Sequence, residues 1–204
     1  MSKNEITFLK AVAAGILIGI GGTIYLVCDN KYIGSILFSL GLFSIILFKL
    51  NLFTGKVGYL FNNKPKYLLD LLIIWIGNLI GSFIIAFMIK NTRIYNLIYE
   101  KVSILSETKL NDNLISIFLL SICCGLLMYV AVEGSNKTSS PLIIILPITV
   151  FILCGFEHCI ANMYYFLLDD KIIFDKILYI LIMTLGNTVG SLILPICNNF
   201  NKES

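Results

Sequence analysis

Long apolar runs separated by short polar connectors dominate the chain. When charged and turn-forming residues are taken as boundaries, six apolar segments result: residues 8–27, 33–61, 67–89, 113–132, 141–168 and 174–196. A helix of about 20 residues crosses the hydrocarbon core of a bilayer. Segments 33–61 and 141–168 run to 29 and 28 residues and have polar residues near their middles. We therefore predict six transmembrane helices, of which the second and the fifth are broken.

Two of the other segments share a motif. WIGNLIGS (75–82) and TLGNTVGS (184–191) have Gly-Asn-x-x-Gly-Ser in common. Small residues at this spacing let helices approach closely, and each asparagine can bond a neighbouring backbone. Three spans per copy would insert the second copy from the opposite face. We predict an all-α polytopic membrane protein, a single channel domain over residues 1–204, with a 3+3 inverted repeat at about 8–89 and 113–196.

Composition agrees with this architecture. The chain is 58% hydrophobic and only 13% charged, which is too apolar for an ordinary soluble domain. Its net charge of +3 comes from scattered lysines, so we expect lipid and not nucleic acid as its surroundings. Segment 8–27 is long enough to be a span and not a signal peptide. The longest connector, 90–112, is predicted to carry a short interfacial helix.

Polar residues in the fifth segment are the candidate chemistry. Residues 155–162 include Glu157, Asn162 and His158, the only histidine. Such groups are costly at hydrocarbon depth and should face the protein interior or a water-filled path. One histidine and six cysteines without a CxxC pair do not form a metal cluster, so we expect no metal, no cofactor and no enzyme. Paired broken helices in inverted repeats favour a channel or transporter.

The residues at the two breaks resemble a known family. LFTG (52–55) and GFEHCIANMY (155–164) are similar to the two signature loops of the formate/nitrite transporter family, and the likeness covers nearly the whole chain. The resemblance implies a homopentamer of aquaporin-like six-helix subunits in the cell membrane. Each subunit would have its own pore for small monovalent anions such as formate, nitrite or hydrosulfide. Both termini would be cytoplasmic, which the basic residues, six against seven on the two sides, leave undecided.

The same resemblance implies roles for individual residues. Thr54 and His158 would line the pore, and Lys109 would line the outer vestibule. Apolar constrictions would be formed by Phe38, Leu42, Leu52, Phe53, Met128 and Phe151. Met128 stands where the family usually has a smaller valine, which would tighten the outer constriction.

One position departs from the family pattern. Many members have an asparagine close to the pore histidine where this chain has Gly125 after Cys124. The resemblance implies that a hydrogen-bonding partner is missing from the pore. This change counts against formate and favours another anion, hydrosulfide among them.

An anion in a dry constriction needs hydrogen-bond donors or a proton. His158 can supply both and Thr54 can donate from its hydroxyl. Our hypothesis is that Lys109 attracts the anion, which is protonated near His158 and crosses as the neutral acid. In a simpler variant the substrate stays ionic and His158 only donates a hydrogen bond. Glu157 is predicted to bond backbone amides of the break or a neighbouring subunit, and Asn162 to cap the second half-helix.

Two other classes of protein fit the sequence less well. An aquaporin-like channel for small neutral solutes also uses half-helices, but it has Asn-Pro-Ala at both breaks, and neither break here has that motif. A membrane redox enzyme would need paired ligands. The sequence leaves open which anion is physiological, whether transport is passive or proton-coupled, and how the pore is gated.

Overall fold

A computed structural model describes residues 1–171 and 174–200, and the chain is helical without a strand over these ranges. Residues 172–173 and 201–204, which belong to the predicted single domain, lie outside the described residues. The all-α prediction is confirmed. The described helices are α1 (Lys3–Val27), α2 (Lys31–Leu47), α3 (Phe53–Lys56), α4 (Tyr67–Lys90), α5 (Arg93–Leu110), α6 (Leu114–Lys137), α7 (Leu142–Leu153), α8 (Cys159–Leu168) and α9 (Asp175–Phe200).

Both long apolar segments are interrupted where the sequence predicts it. The first break separates α2 from α3, which is four residues long and continues into a 3-10 helix at Val57–Asn62. The second break separates α7 from α8 and is shorter than the predicted 155–162, because the helix resumes at Cys159. Residues 159–162 are therefore helical, and the irregular backbone is limited to 154–158.

Asn78 in α4 holds the backbone of the first break. Its Oδ1 accepts a hydrogen bond from the backbone N–H of Phe53 at 2.9 Å. Its Nδ2 donates to the carbonyl oxygens of Ala11 and Asn51 at 2.8 and 2.9 Å. The amide is fully buried, so it satisfies backbone groups that have no access to water.

Asn187 in α9 does the same at the second break. Its Oδ1 accepts from the N–H of Cys159 at 2.9 Å, and its Nδ2 donates to the carbonyls of Ser121 and Glu157 at 2.8 and 2.7 Å. The prediction that the motif asparagines bond neighbouring backbone is confirmed. Each also connects a long helix to an interruption.

The glycines near these asparagines allow close contact between long helices. A Cβ on Gly15 in α1 would lie 2.3 Å from the carbonyl oxygen of Asn78, and one on Gly125 in α6 would lie 2.2 Å from that of Asn187. The predicted loss of a hydrogen-bonding partner from the pore at Gly125 stays a prediction. In this structure a Cβ at this position would point into the backbone of α9.

The connector 90–112 holds a longer helix than predicted, since α5 runs for 18 residues. Ion pairs and hydrogen bonds attach it to neighbouring loops. Asp170 accepts from Lys90 Nζ at 2.8 Å and from the hydroxyl of Tyr95 at 2.6 Å. These two donors hold the pKa of Asp170 below its ordinary value. Lys109, in the last turn of α5, is buried in the protein interior.

The outer faces of the long helices are apolar. α1, α4, α6 and α9 are each long and apolar enough to cross a membrane, whereas α2, α7 and α8 are apolar but shorter. Large hydrophobic side chains such as Phe83, Phe87, Leu119 and Leu185 are exposed. A continuous apolar exterior around buried polar groups is the pattern of a membrane protein.

We expect Gly125→Ala to destabilise the protein. The added methyl would force α6 away from α9, and overpacking of this kind costs about 1–3 kcal/mol. Thermal unfolding in detergent measures the effect as a lower Tm. Cys123→Ala, on the exposed neighbouring position of α6, serves as the control. An unchanged Tm for Gly125→Ala would contradict the close contact.

Candidate functional site: two cavities around a threonine–histidine contact

Thr54 and His158 meet where the two breaks face each other. Thr54 lies in the first turn of α3, and His158 is the N-cap residue of α8. Thr54 Oγ1 lies 2.9 Å from His158 Nε2, and the two residues are only 1% and 2% exposed. Residues 104 positions apart in the sequence thus form one hydrogen bond in the interior.

The N-cap bond of His158 determines the role of its two ring nitrogens. Nδ1 accepts from the backbone N–H of Ala161 at 3.1 Å, so it has no proton of its own. A neutral imidazole with an unprotonated Nδ1 has its proton on Nε2, and this N–H donates a hydrogen bond to Thr54 Oγ1. The hydroxyl proton of Thr54 is then available to another acceptor. Protonation of both nitrogens would break the bond to Ala161.

Glu157 forms a buried ion pair with Lys109. Lys109 Nζ lies 2.6 Å from Glu157 Oε2, and the two side chains are 10% and 5% exposed. The same oxygen accepts from Asn162 Nδ2 at 2.7 Å. Among the described residues the Glu157 carboxylate thus bonds Lys109 and Asn162 and not the predicted backbone amides. The predicted contact with a neighbouring subunit stays a prediction. Asn162 is also not the predicted cap, because it lies within α8 and His158 occupies the N-cap position.

Two cavities lie beside the Thr54–His158 contact: His158 lines one, and Leu52 and Gly55, on either side of Thr54 in the sequence, line the other. Thr54 itself is among the lining residues of neither. The terminal-side cavity, near the start of α1, has a volume of about 660 Å³, and Leu42 and Leu52 are among its lining residues. The loop-side cavity, near the end of α5, measures about 200 Å³ and is lined by Phe38, Lys109, Phe151, His158, Asn162 and others.

Aromatic rings form the boundary of the loop-side cavity. Phe151 stacks on the imidazole of His158, with ring centroids 5.7 Å apart and an angle of 21° between the planes. Phe38 meets Phe151 edge to face at 5.9 Å. Four of the predicted constriction residues therefore lie along the two cavities: Phe38, Leu42, Leu52 and Phe151.

Two predicted constriction residues lie elsewhere. The side chain of Phe53 lines a third, apolar cavity of about 340 Å³ beside Trp75 and Leu181. Its backbone is held by Asn78, which orients this turn of the chain toward α4. Met128 is buried in α6 and lines neither the terminal-side nor the loop-side cavity.

The loop-side cavity also includes residues that the sequence analysis missed. Tyr165 lies one helical turn after Ala161, and both line the cavity. The spacing of four residues along α8 could have indicated Tyr165. Lys31 lines the same cavity, and its Nζ donates to the carbonyl oxygen of Leu153 at 3.2 Å. No local pattern distinguishes Lys31 from other lysines at helix ends.

The polar contacts of the site are hydrogen bonds and one ion pair. Over residues 1–171 and 174–200, no three His, Cys, Asp or Glu side chains are grouped to hold a metal ion. An all-helical membrane protein with a polar contact between two interrupted helices, and two cavities beside it, belongs to the class of channels and transporters.

Comparison with known proteins identifies the family. Residues 2–200 match the sequence profile of the formate/nitrite transporter family. The chain belongs to this family.

Two curated relatives illustrate the similarity. Formate channel FocA of Haemophilus influenzae is 26% identical over 183 residues, which cover 78% of this chain. Formate channel FocB of Escherichia coli is 28% identical over 181 residues, which cover 77%. This chain spans 64% of the length of each of them.

Solved structures share the fold. A pentameric formate channel with formate bound superposes with a TM-score of 0.83 at 24% identity, and the match covers 98% of this chain and 97% of that one. An ion channel of the same family has a TM-score of 0.79 at 21% identity, with coverage of 98% and 89%.

We expect Lys109→Met to destabilise the protein strongly. Removal of one partner leaves the buried Glu157 carboxylate without its counter-charge, which costs about 3–5 kcal/mol. The double variant Lys109→Met with Glu157→Gln also removes the carboxylate charge, so it should recover much of the lost stability. Thermal unfolding in detergent measures both.

The control for this pair is Lys101→Met. Lys101 pairs with the exposed Asp29 at 3.0 Å, and exposed pairs contribute about 0–1 kcal/mol. If the single Lys109 variant were as stable as the double variant, Glu157 would not depend on Lys109 for its charge compensation.

Proposed function

We infer that this chain forms a channel for small monovalent anions, with one pore in each subunit. The observation that carries the proposal is the buried Thr54–His158 contact beside the two cavities. The path would run from the terminal-side cavity past Leu42 and Leu52. It would continue along Thr54 and His158 to the loop-side cavity between Phe38 and Phe151.

The proposed architecture is six spans in a 3+3 inverted repeat. The second span would consist of α2 with α3, and the fifth of α7 with α8. Equivalent bonds of Asn78 and Asn187 support this arrangement, as do equivalent contacts of Gly15 and Gly125. The similarity to a pentameric formate channel supports a homopentamer. We place both termini in the cytoplasm and the protein in the cell membrane.

Thr54 would be the residue that bonds the anion. Its oxygen accepts a hydrogen bond from His158 Nε2–H, which leaves the threonine hydroxyl free to donate to a substrate oxygen or sulfur. The N-terminus of α8 adds a positive dipole end at the same place. His158 would act as the donor that orients Thr54. This favours the simpler variant, in which the imidazole donates a hydrogen bond and keeps its proton.

The Lys109–Glu157 pair would keep the loop-side cavity free of net negative charge. A lone carboxylate beside an anion path would repel the substrate, and its pairing with Lys109 removes this repulsion. Asn162 Oδ1 has no donor among the described residues, so it can accept the O–H of a weak acid in its neutral form. Both the ionic and the neutral form of such an acid would then find a partner.

Formate, nitrite and hydrosulfide are the proposed substrates. They share a single charge, a small size and at least one hydrogen-bond acceptor. One threonine hydroxyl and two apolar constrictions, at Leu42 with Leu52 and at Phe38 with Phe151, can select for these properties. Uptake of each anion and of glycerol into proteoliposomes would test the class. Glycerol permeation without anion flux would instead indicate a channel for neutral solutes.

We expect Thr54→Val and His158→Phe each to reduce formate uptake by about 10- to 100-fold. A hydrogen bond to a charged group contributes about 1.5–3 kcal/mol, and valine has the shape of threonine without its hydroxyl. Initial uptake rates in proteoliposomes at equal protein content measure the loss.

Thr149→Val is the matched control for this experiment. The Thr149 hydroxyl donates to the carbonyl of Ile145 in its own helix, outside the proposed path. If Thr54→Val took up formate as fast as this control, the role assigned to Thr54 would be contradicted.

A further inference from the structure

The terminal-side cavity is rich in positive charge. Its lining includes Lys49 and Lys56 together with Leu42 and Leu52, which lie next to the Thr54–His158 contact. No carboxylate is among its lining residues. An anion that enters from this side would meet the two lysines before it reaches the apolar constriction at Leu42 and Leu52.

Neither lysine has its charge compensated within residues 1–171 and 174–200. Other lysines near this cavity do form ion pairs, since Lys3 bonds Asp70 at 3.0 Å and Lys137 bonds Glu133 at 3.2 Å. Lys49 and Lys56 form no ion pair in that part of the chain. Uncompensated charges at the mouth of a narrow path raise the local concentration of counter-ions.

Glu133, a carboxylate bonded to the lining residue Tyr59, is already engaged. Glu133 accepts from the hydroxyl of Tyr59 at 2.8 Å and from Lys137. Asn136 donates to the same tyrosine hydroxyl at 3.1 Å. Because Glu133 bonds Tyr59 and Lys137, it does not neutralise Lys49 or Lys56. The two lysines therefore give the cavity a positive charge.

The backbone of Lys49 gives a second, independent argument. Lys49 has a positive φ of 52°, and it follows the C-terminus of α2, where the N–H of Leu50 bonds the carbonyl of Ile45. At the corresponding place after α7, the N–H of Phe156 bonds Phe151, and the residue with positive φ is Gly155.

Glycine takes this left-handed conformation without a steric cost, whereas a residue with a Cβ is disfavoured there. The first break thus retains a lysine where the second break has glycine. A strained residue beside a cavity points to a function for its side chain.

We propose that Lys49 and Lys56 form an anion-loading site in the terminal-side cavity. A small monovalent anion is held there by the two ammonium groups, with its water shell largely intact, before it loses water at Leu42 and Leu52. This proposal rests on the function inferred above and adds a second anion site, separate from Thr54 and His158.

The test uses Lys49→Asn with Lys56→Gln in the full-length protein. Asparagine tolerates positive φ, so the double variant removes both charges without new backbone strain. Uptake of labelled formate is measured against its concentration in right-side-out and in everted vesicles. We expect the half-saturating concentration to rise about three- to tenfold in one vesicle orientation and to stay unchanged in the other.

Charge is tested separately from structure. The difference in half-saturating concentration between the wild type and the double variant should vanish at about 1 M ionic strength, where the Debye length falls to about 3 Å. Lys49→Arg with Lys56→Arg should restore the wild-type value. Lys64→Gln removes an exposed charge on the connector to α4, outside the cavity lining, and should change the half-saturating concentration less than twofold.

Three results would overturn the loading site: an equal rise in both vesicle orientations, no rise in either, or a rise as large in Lys64→Gln. In each of these the wild type still carries formate, so the proposed function stands. If the wild type carries none of formate, nitrite and hydrosulfide, both proposals fail.

Discussion

Interruption of a helix inside an apolar environment exposes backbone groups that water cannot reach, and the structure depends on how these groups are satisfied. Asn78 and Asn187 each provide one acceptor and two donors for this purpose. Because each asparagine bonds a long helix and a break together, the two interruptions are fixed relative to the long helices. Thr54 and His158 can then meet at hydrogen-bond distance.

Close packing of the long helices makes these bonds possible. Gly15 and Gly125 let the backbones of α1 and α6 lie against Asn78 and Asn187, where a Cβ would overlap the carbonyl oxygens. Gly125, which the resemblance singles out for a missing hydrogen-bonding partner, therefore also has a packing role. The role of a glycine in a membrane helix therefore depends on the neighbouring helix that packs against it.

Charge is distributed unequally along the proposed path. On the loop side, Lys109 and Glu157 neutralise one another, and Asn162 completes their network. On the terminal side, Lys49 and Lys56 stay uncompensated in the described part of the chain. The two breaks are alike in backbone geometry but differ at Lys49 and Gly155. Two breaks with similar backbones thus differ in the charge that they place beside the cavities.

The sequence by itself determined the helical membrane class, the positions of both breaks and the paired asparagine motifs, and it singled out Thr54 and His158, which the structure brings into contact. Composition, segment length and repeated motifs are local properties, and they can be read along the chain. Only the tertiary structure decided the partners of Glu157, the capping role of His158, the packing of Gly125 and the turn of Phe53 away from the two cavities. These features depend on which helix faces meet, and residues far apart in sequence determine that contact.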